Sequence, residues 1–257
     1  KKIGYALAEK YDRKIFRAIT KAARQASPIT KSNFVEPGGT QIRVGTNAQA
    51  SDAYSATALV NAFYDAAAAL DEKGVSTEGR VGVLNPRQYY ELIQETGSNG
   101  LINRDETGDA LQTGNGIVEI AGIKIYKSMN IPFFGRFGTK YGAATSTTPG
   151  ITDPGNTGDF TEVVMVDETA GSGATKTVNS YGNGNSDFEN SCGLIFQKEA
   201  AGVVEAIGPQ VQVTSGDISV VYQGDVILGR LAMGADALNP AASVELFAGT
   251  ATKPGSF

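Results

Sequence analysis

The sequence contains no histidine and a single cysteine, and these two shortages restrict its chemistry. Without histidine the chain lacks the commonest general base, the Ser-His and Cys-His pairs of nucleophilic enzymes, and every histidine-containing metal site. One cysteine, Cys192, excludes an internal disulfide framework. Because Cys192 lies in the apolar run SCGLIF, we predict a small buried side chain rather than a reactive thiol. We therefore predict no catalytic residue, no cofactor or cofactor-binding residue and no metal ligand.

Long apolar runs and an excess of basic residues are also missing. No stretch of about 18 apolar residues is present, and no segment has the pattern of a secretory signal. We therefore expect no contact with a membrane and synthesis in the cytoplasm. The chain carries 22 Lys and Arg against 27 Asp and Glu, a net charge of −5. This balance is the opposite of the basic surface that nucleic-acid-binding domains present.

Two local patterns resemble ligand sites but lack essential features. The run Gly171–Thr177 is similar to a phosphate-binding loop, yet no glycine directly precedes Lys176 and no helical pattern follows. The acidic pairs Asp105-Glu106 and Asp167-Glu168 lack the D-x-D-x-D spacing of a calcium loop, so we interpret them as solvated turns. A pair of catalytic carboxylates needs no local motif, so a carboxylate-dependent hydrolase stays an alternative.

The chain is long enough for a substantial core, since 41% of its 257 residues are apolar. It opens with an amphipathic pattern from Lys1 to Gln25, which predicts a helix about 37 Å long that ends before Ser27-Pro28. Most of its charged residues lie off the apolar stripe. The predicted stripe consists of Ile3, Leu7, Tyr11, Ile15, Ala18 and Ala22.

Two further helices are predicted downstream. The first runs from Ser55, a good N-cap, to Lys73, and Gly74 stands in the C-cap position. The second runs from Pro86 to Thr96 with proline in its first turn. The apolar positions expected to face the core are Leu59, Ala62, Phe63, Ala66, Ala67 and Leu70 in the first, and Tyr89, Leu92 and Ile93 in the second, with Tyr90 at the rim.

Strand patterns occupy three regions. Arg80–Leu84 is a short apolar strand before the Asn85-Pro86 turn. Gly116–Lys127 alternates and is broken at Gly122, which indicates a hairpin or a bulge. From Tyr222 to Gly249 we predict two tightly packed strands. The first holds Val226, Leu228, Leu231 and Met233, with Gly234 allowing close backbone approach, and the closing strand has Val244, Leu246 and Ala248 alternating with polar or small neighbours.

Two segments have the composition of loops. Gly97–Asn115 is polar and predicts a surface loop, and Gly135–Asn190 is dominated by turn residues. Within the second segment only Thr161–Asp167 predicts a strand, so we interpret it as a surface excursion at about residues 135–190.

Three of these patterns together resemble the major capsid protein of short-tailed, podovirus-type bacteriophages. They are the apolar strand and Asn239-Pro240-Ala241-Ala242 turn before the last strand, the Arg80–Tyr90 strand, turn and helix start, and the hairpin within Gly116–Lys127. With the first helix, the resemblance covers about the first 130 residues and the last 65, and it does not extend over Gly135–Asn190. The family usually has Arg-Pro-Glu-Ala at the turn, so this chain departs from it at Asn239 and Ala241.

The resemblance implies an α+β tailed-phage capsid fold with a long spine helix. It implies a peripheral domain from 1–48 and 240–257 and an axial domain from 49–239, and the family's N-terminal arm and extended loop are missing from this sequence. It also implies a virion subunit that self-assembles into pentamers and hexamers of an icosahedral shell around double-stranded DNA. Scaffolding and portal proteins would be its partners, and the packaged DNA would be contacted without sequence specificity. A tail or surface-layer subunit is the alternative among structural proteins.

Overall fold

A six-stranded mixed sheet with helices on both faces forms the centre of this structure. The computed structural model describes residues 2–31, 34–46, 50–94, 118–131, 191–213, 224, 226–248 and 253. Its helices are α1 (Lys2–Arg24), α2 (Ala56–Glu72) and α3 (Pro86–Gln94), and 3-10 turns lie at Ala50–Tyr54 and Pro240–Ala242. Its strands are β1 (Thr30–Lys31), β2 (Phe34–Val35), β3 (Thr40–Arg43), β4 (Arg80–Leu84), β5 (Val118–Ile120), β6 (Ile123–Lys127), β7 (Ser191–Gln197), β8 (Ala201–Val213), β9 (Ile227–Ala237) and β10 (Ser243–Phe247).

The central sheet has the strand order β3-β10-β7-β4-β6-β5. The pairs β10–β3 and β4–β6 are parallel, whereas β10–β7, β4–β7 and β5–β6 are antiparallel. The predicted hairpin is confirmed as β5–β6, and its turn falls at Ala121 and Gly122, both at positive φ (51° and 75°). A two-residue turn with both central residues at positive φ matches the right-handed twist of the strands on either side.

Helices α2 and α3 cover one face of this sheet. The side chain of Ser55 accepts a hydrogen bond from Ala58 N at the start of α2, and Gly74 follows its end with a φ of 70°. Every residue predicted to face the core from these two helices is buried, whereas Tyr90 is 38% exposed. The ring of Phe63 lies against Gly82 of β4, where it occupies the space that a side chain would need. These predictions, which depend on local spacing and caps, are confirmed.

Helix α1 covers the opposite face, and the predicted stripe is only partly correct. Ala18 and Ala22 are buried, but Ile15 is half-buried, whereas Ile19, outside the stripe, is 2% exposed. Arg13 and Arg17, which lie off the predicted stripe, are also buried. The C-terminal half of α1 packs on β10 and the turn before it, which buries more than one stripe of the helix.

Of the two C-terminal strands, β9 differs from the sequence interpretation and β10 agrees with it. In β9, Leu228 is 51% exposed, and a Cβ placed on Gly234 meets no atom within 4 Å, so neither the tight packing nor the close approach was predicted correctly there. In β10 the predicted alternation is confirmed, because Val244 and Leu246 are fully buried in the core, and Ser243 and Glu245 on the opposite face are buried as well. The strand lies between β3 and β7 in the sheet, with α1 on one face and the core that includes α2 on the other, so both of its faces are covered.

The segments assigned to two domains share the central sheet. β3 and β10 come from 1–48 and 240–257, and the other four strands come from 49–239. The hairpin β8–β9 forms a separate two-stranded sheet that packs on α1. The domain division stays a prediction.

Several predicted features lie outside the described residues. They are the loop Gly97–Asn115, the excursion Gly135–Asn190 with its strand at Thr161–Asp167, the run Gly171–Thr177, and the acidic pairs Asp105-Glu106 and Asp167-Glu168.

Candidate assembly surfaces and a buried ionic joint

A buried ion pair joins the last turn of α1 to the centre of the sheet. Arg24 donates from Nε to Glu245 Oε2 at 2.7 Å and from Nη2 to Glu245 Oε1 at 2.6 Å. The two side chains are 2% and 0% exposed. Gln41 of β3 donates from Nε2 to the same Oε2 at 2.9 Å. Glu245 is therefore held by one helix and by a neighbouring strand, in the paired and hydrogen-bonded state that a buried charge requires.

Two neighbouring contacts support this joint. Ser243 Oγ donates to the carbonyl oxygen of Ile19 at 2.8 Å, so β10 also bonds to the helix backbone more than one turn before Arg24. Arg24 stands at the C-terminal end of α1, where a cation is favoured by the partial negative charge of the last carbonyls. A Cβ on Gly39 would lie 2.3 Å from the carbonyl oxygens of Ala22 and Ala23, so only glycine fits against this helix end.

The N-terminal half of α1 lies along the hairpin β8–β9. A Cβ on Gly229 would lie 2.4 Å from Ile3 Cγ2 and 3.4 Å from Leu7 Cδ1, so the missing side chain lets helix and strand approach. Lys21 Nζ contacts Asp236 Oδ1 at 2.7 Å, and this hydrogen bond lowers the pKa of the Asp236 carboxyl.

Tyr11 makes a further polar contact between α1 and β8. Its hydrogen bond to Glu205, together with the negative charge there, raises the pKa of the Tyr11 hydroxyl. Close apolar packing at Gly229 is therefore accompanied by polar contacts further along the helix, at Tyr11 and Lys21.

The hairpin face that points away from α1 exposes apolar side chains. Because side chains alternate along a strand, Leu228 points away from the face on which Gly229 meets the helix. Val204 is paired with Gly234, and Ile207 with Ala232, on the same outer face. Val204, Ile207 and Leu228 are 74%, 38% and 51% exposed. We call these three residues the outer hairpin face. Exposed apolar residues that share one face of a hairpin are candidates for an interaction surface.

A second exposed apolar surface lies just after α1. The pair β1–β2 has only two residues in each strand, and Ile29, Phe34 and Val35 are 41%, 61% and 61% exposed. Its base is fixed by Ile29 O, which accepts from Glu36 N at 3.0 Å. A two-stranded ribbon this short gains little from its own pairing, so the contacts at its base account for its position.

A lysine and two tyrosines form a small cluster at the end of α3. Lys127 Nζ lies 5.3 Å and 4.7 Å from the ring centroids of Tyr89 and Tyr90, and it donates to Tyr90 Oη at 2.8 Å. Tyr89 is buried and Tyr90 is half-exposed, so the prediction of one core and one rim tyrosine is confirmed. The cluster attaches α3 to the end of β6.

The described residues show how the side chains considered for chemistry are placed. Cys192 is fully buried, and burial raises the pKa of its thiol, which confirms the small buried side chain predicted from its apolar neighbours. Across the described ranges no three His, Cys, Asp or Glu side chains converge as metal ligands would. None of the helices that the structure describes is long and apolar enough to cross a membrane.

Comparison with known proteins decides the family. The model of the family described as Gp10A-like major capsid protein matches residues 1–173. The chain belongs to this family of major capsid proteins. No protein of curated function matches the sequence. The capsid structure of cyanophage P-SCSP1u is similar over 95% of this chain and 63% of that one, at 27% identity and a TM-score of 0.62. The mature capsid of bacteriophage PhiM1 is similar over 95% and 62%, at 17% identity and a TM-score of 0.55.

These similarities confirm the predicted resemblance and the α+β tailed-phage capsid fold. The matching family is one of major capsid proteins, which are structural proteins. It spans less than two thirds of the length of the capsid chains it matches.

Sequence reasoning missed the features that connect the elements. Glu245 is 221 positions from Arg24 and 204 positions from Gln41, and no local sequence pattern relates these residues. A charged residue between apolar ones in the closing strand was the available signal, because Glu245 interrupts an otherwise apolar run. Leu228 was predicted to pack tightly because exposed and buried apolar strands have the same composition, and no prediction covered Val204 and Ile207.

Proposed function

We propose that this chain is the shell-forming part of a major capsid subunit that self-assembles into pentamers and hexamers of an icosahedral shell enclosing double-stranded DNA. Membership in the major capsid protein family carries the proposal. The similarity to a phage capsid chain at 27% identity supports it over nearly the whole sequence.

The outer hairpin face is the contact surface that we assign to this assembly. A monomer gains no stability from placing Val204 and Leu228 in water. Burial of these side chains against another copy would contribute about 25 cal/mol of binding free energy for each Å² of apolar surface removed from water. Each interface in a shell can be modest, because every subunit repeats it in a closed symmetric array.

The two-domain division belongs to this proposal. The spine helix α1 and segments 1–48 and 240–257 would form the peripheral domain, and the packing of β8–β9 on α1 favours adding this hairpin to it. The rest of 49–239 would form the axial domain, around which pentamers and hexamers gather. The excursion at residues 135–190 would lie on the exposed surface of these rings.

The remaining partners follow from charge and from the capsid role. A net charge of −5 favours a lining along which packed DNA is contacted without sequence specificity, because a basic lining would bind phosphates through counterion release. Scaffolding and portal proteins would guide assembly, and synthesis would take place in the host cytoplasm. The chain would perform no catalysis, and its function would be to form repeated contacts with other copies at the angles that close the shell.

Assembly of matched surface variants tests this proposal. Leu228→Asp places a charge on the outer hairpin face, and Tyr64→Asp is its control, because the two side chains are 51% and 52% exposed on different elements. Sedimentation velocity and electron microscopy of the expressed protein should show particles for the unchanged protein and for Tyr64→Asp, but only small species for Leu228→Asp. Equal assembly of both variants would remove the hairpin from the interface, and monomers of the unchanged protein at every concentration would contradict the capsid function itself.

A further inference from the structure

The pair Arg24–Glu245 is a poor source of stability for the joint it occupies. Both side chains are completely withdrawn from water, at 2% and 0% exposure. Dehydrating two charges is costly, and apolar residues of similar volume often serve a buried position equally well or better. The retention of a charged pair here therefore needs another explanation.

The surface of α1 around this pair supplies one. The apolar contacts of the helix with the sheet come from Ala18, Ala22 and Ala23 and from one larger side chain, Ile19, all buried there. Apolar attraction has no preferred direction, and alanines interdigitate little, so this contact constrains rotation and sliding of the helix less tightly than hydrogen bonds of fixed geometry do. The two bonds from Arg24 to Glu245 have a fixed planar geometry, and Gln41 holds the carboxylate from the other side.

Small changes at this joint are amplified along the helix. Ile3 and Leu7, which meet the hairpin at Gly229, are five or six turns away from Arg24. With a rise of 1.5 Å per residue the separation is about 30 Å, so a tilt of about 10° at Arg24 displaces the far end by about 5 Å.

We propose that the Arg24–Glu245–Gln41 cluster is a positioning device that fixes the rotation and axial position of α1 on the sheet, and thereby the orientation of the β8–β9 hairpin. The cluster specifies one arrangement and contributes little to the stability of the fold. The consequence for assembly rests on the proposed capsid function: the orientation of the hairpin sets the angle at which one copy meets the next.

Distance measurement on the unassembled protein tests the device directly. Nitroxide labels at Tyr5→Cys on α1 and Tyr126→Cys on β6 occupy exposed positions, while the buried Cys192 is inaccessible to the reagent. Electron paramagnetic resonance should give one narrow distance with the native cluster. The apolar variant Arg24→Met/Glu245→Leu should lose this single distance and give a broad distribution, with a melting temperature equal to or above that of the native cluster.

Two results would overturn the proposal. A narrow, unchanged distance in the apolar variant would show that packing alone positions α1, and a lower melting temperature with a narrow distance would show that the cluster only stabilises. If the apolar variant does not fold, Arg24→Lys decides, since lysine keeps the charge but not the planar two-bond geometry. This variant should also broaden the distance, and a narrow distance would count against the device.

The link to assembly has its own readout. Particles formed by the apolar variant should vary in size and curvature in electron micrographs, whereas those of the native cluster should be uniform. Uniform particles with a broad distance would leave the positioning role intact and remove its connection to assembly. Failure of the native protein to form particles would instead contradict the proposed function, while the distance result would stand independently.

Discussion

The close contact between Gly82 and Phe63 predicts a large and specific effect of a single methyl group. A Cβ at position 82 would lie 2.6 Å from Phe63 Cε1 and 3.0 Å from Cζ, closer than carbon atoms approach without strain. Phe63 is fully buried in the core between α2 and the sheet, so its ring has no open space to enter. Overpacking of this kind costs about 1–3 kcal/mol, so Gly82→Ala should lower the free energy of unfolding by that amount.

A double-mutant cycle and a matched glycine make the test specific. Phe63→Leu removes the atoms that the new methyl group meets, so Gly82→Ala/Phe63→Leu should be more stable than the sum of the single changes predicts, by at least about 0.5 kcal/mol. Gly202→Ala is the control, because its Cβ meets no atom within 4 Å, and it should be neutral or slightly stabilising. Urea unfolding followed by circular dichroism measures the four variants and the unchanged protein. Additive effects in the cycle, or equal effects of the two glycine changes, would refute the reasoning.

Three further predictions follow from other contacts. Ile19→Asp should destabilise the protein by more than about 3 kcal/mol, because an unpaired charge would be buried, whereas Ile15→Asp at a half-buried position should cost less; equal yields of soluble protein would contradict this order. The lowered pKa of Asp236 implies a contribution of at most about 1 kcal/mol that is present above the unfolded-state pKa of about 3.9 and lost as the pH falls through the folded-state pKa. Urea unfolding at several pH values should show that Lys21→Met removes this acid dependence, and an unchanged pH profile would count against the bond. The Cys192 thiol, buried and with a raised pKa, should react with iodoacetamide only in denaturant, and rapid labelling of the native protein would disprove its burial.

Local sequence patterns were sufficient to predict α2, α3 and the β5–β6 hairpin. Each element has capping or turn residues of its own: Ser55 and Gly74 at the ends of α2, Pro86 at the start of α3, and Ala121-Gly122 in the turn of the hairpin. These features act within a few residues through caps and positive φ angles. These elements can therefore be predicted from the local sequence without knowledge of the tertiary contacts.

Burial between distant segments could not be predicted in the same way. Arg13 and Arg17 have the composition of a solvated helix face but lie in the buried part of α1. Glu245 is acceptable in a buried strand only because Arg24 reaches it from 221 residues away. In the same way, the apolar residues of β9 appeared to be core because the sequence does not show which sheet face another element covers. The strand order, which is set by these long-range contacts, was not predicted either.

Cryo-electron microscopy of particles formed by the expressed protein tests the central claim most directly. The account predicts closed icosahedral shells built of pentamers and hexamers, with α1 and the β8–β9 hairpin packed together in every subunit and the outer hairpin face, Val204, Ile207 and Leu228, buried against a neighbouring copy. Tubes or flat sheets would indicate a different structural assembly. Closed shells in which these three side chains face solvent would contradict the assigned interface, and a protein that stays monomeric would contradict the capsid function.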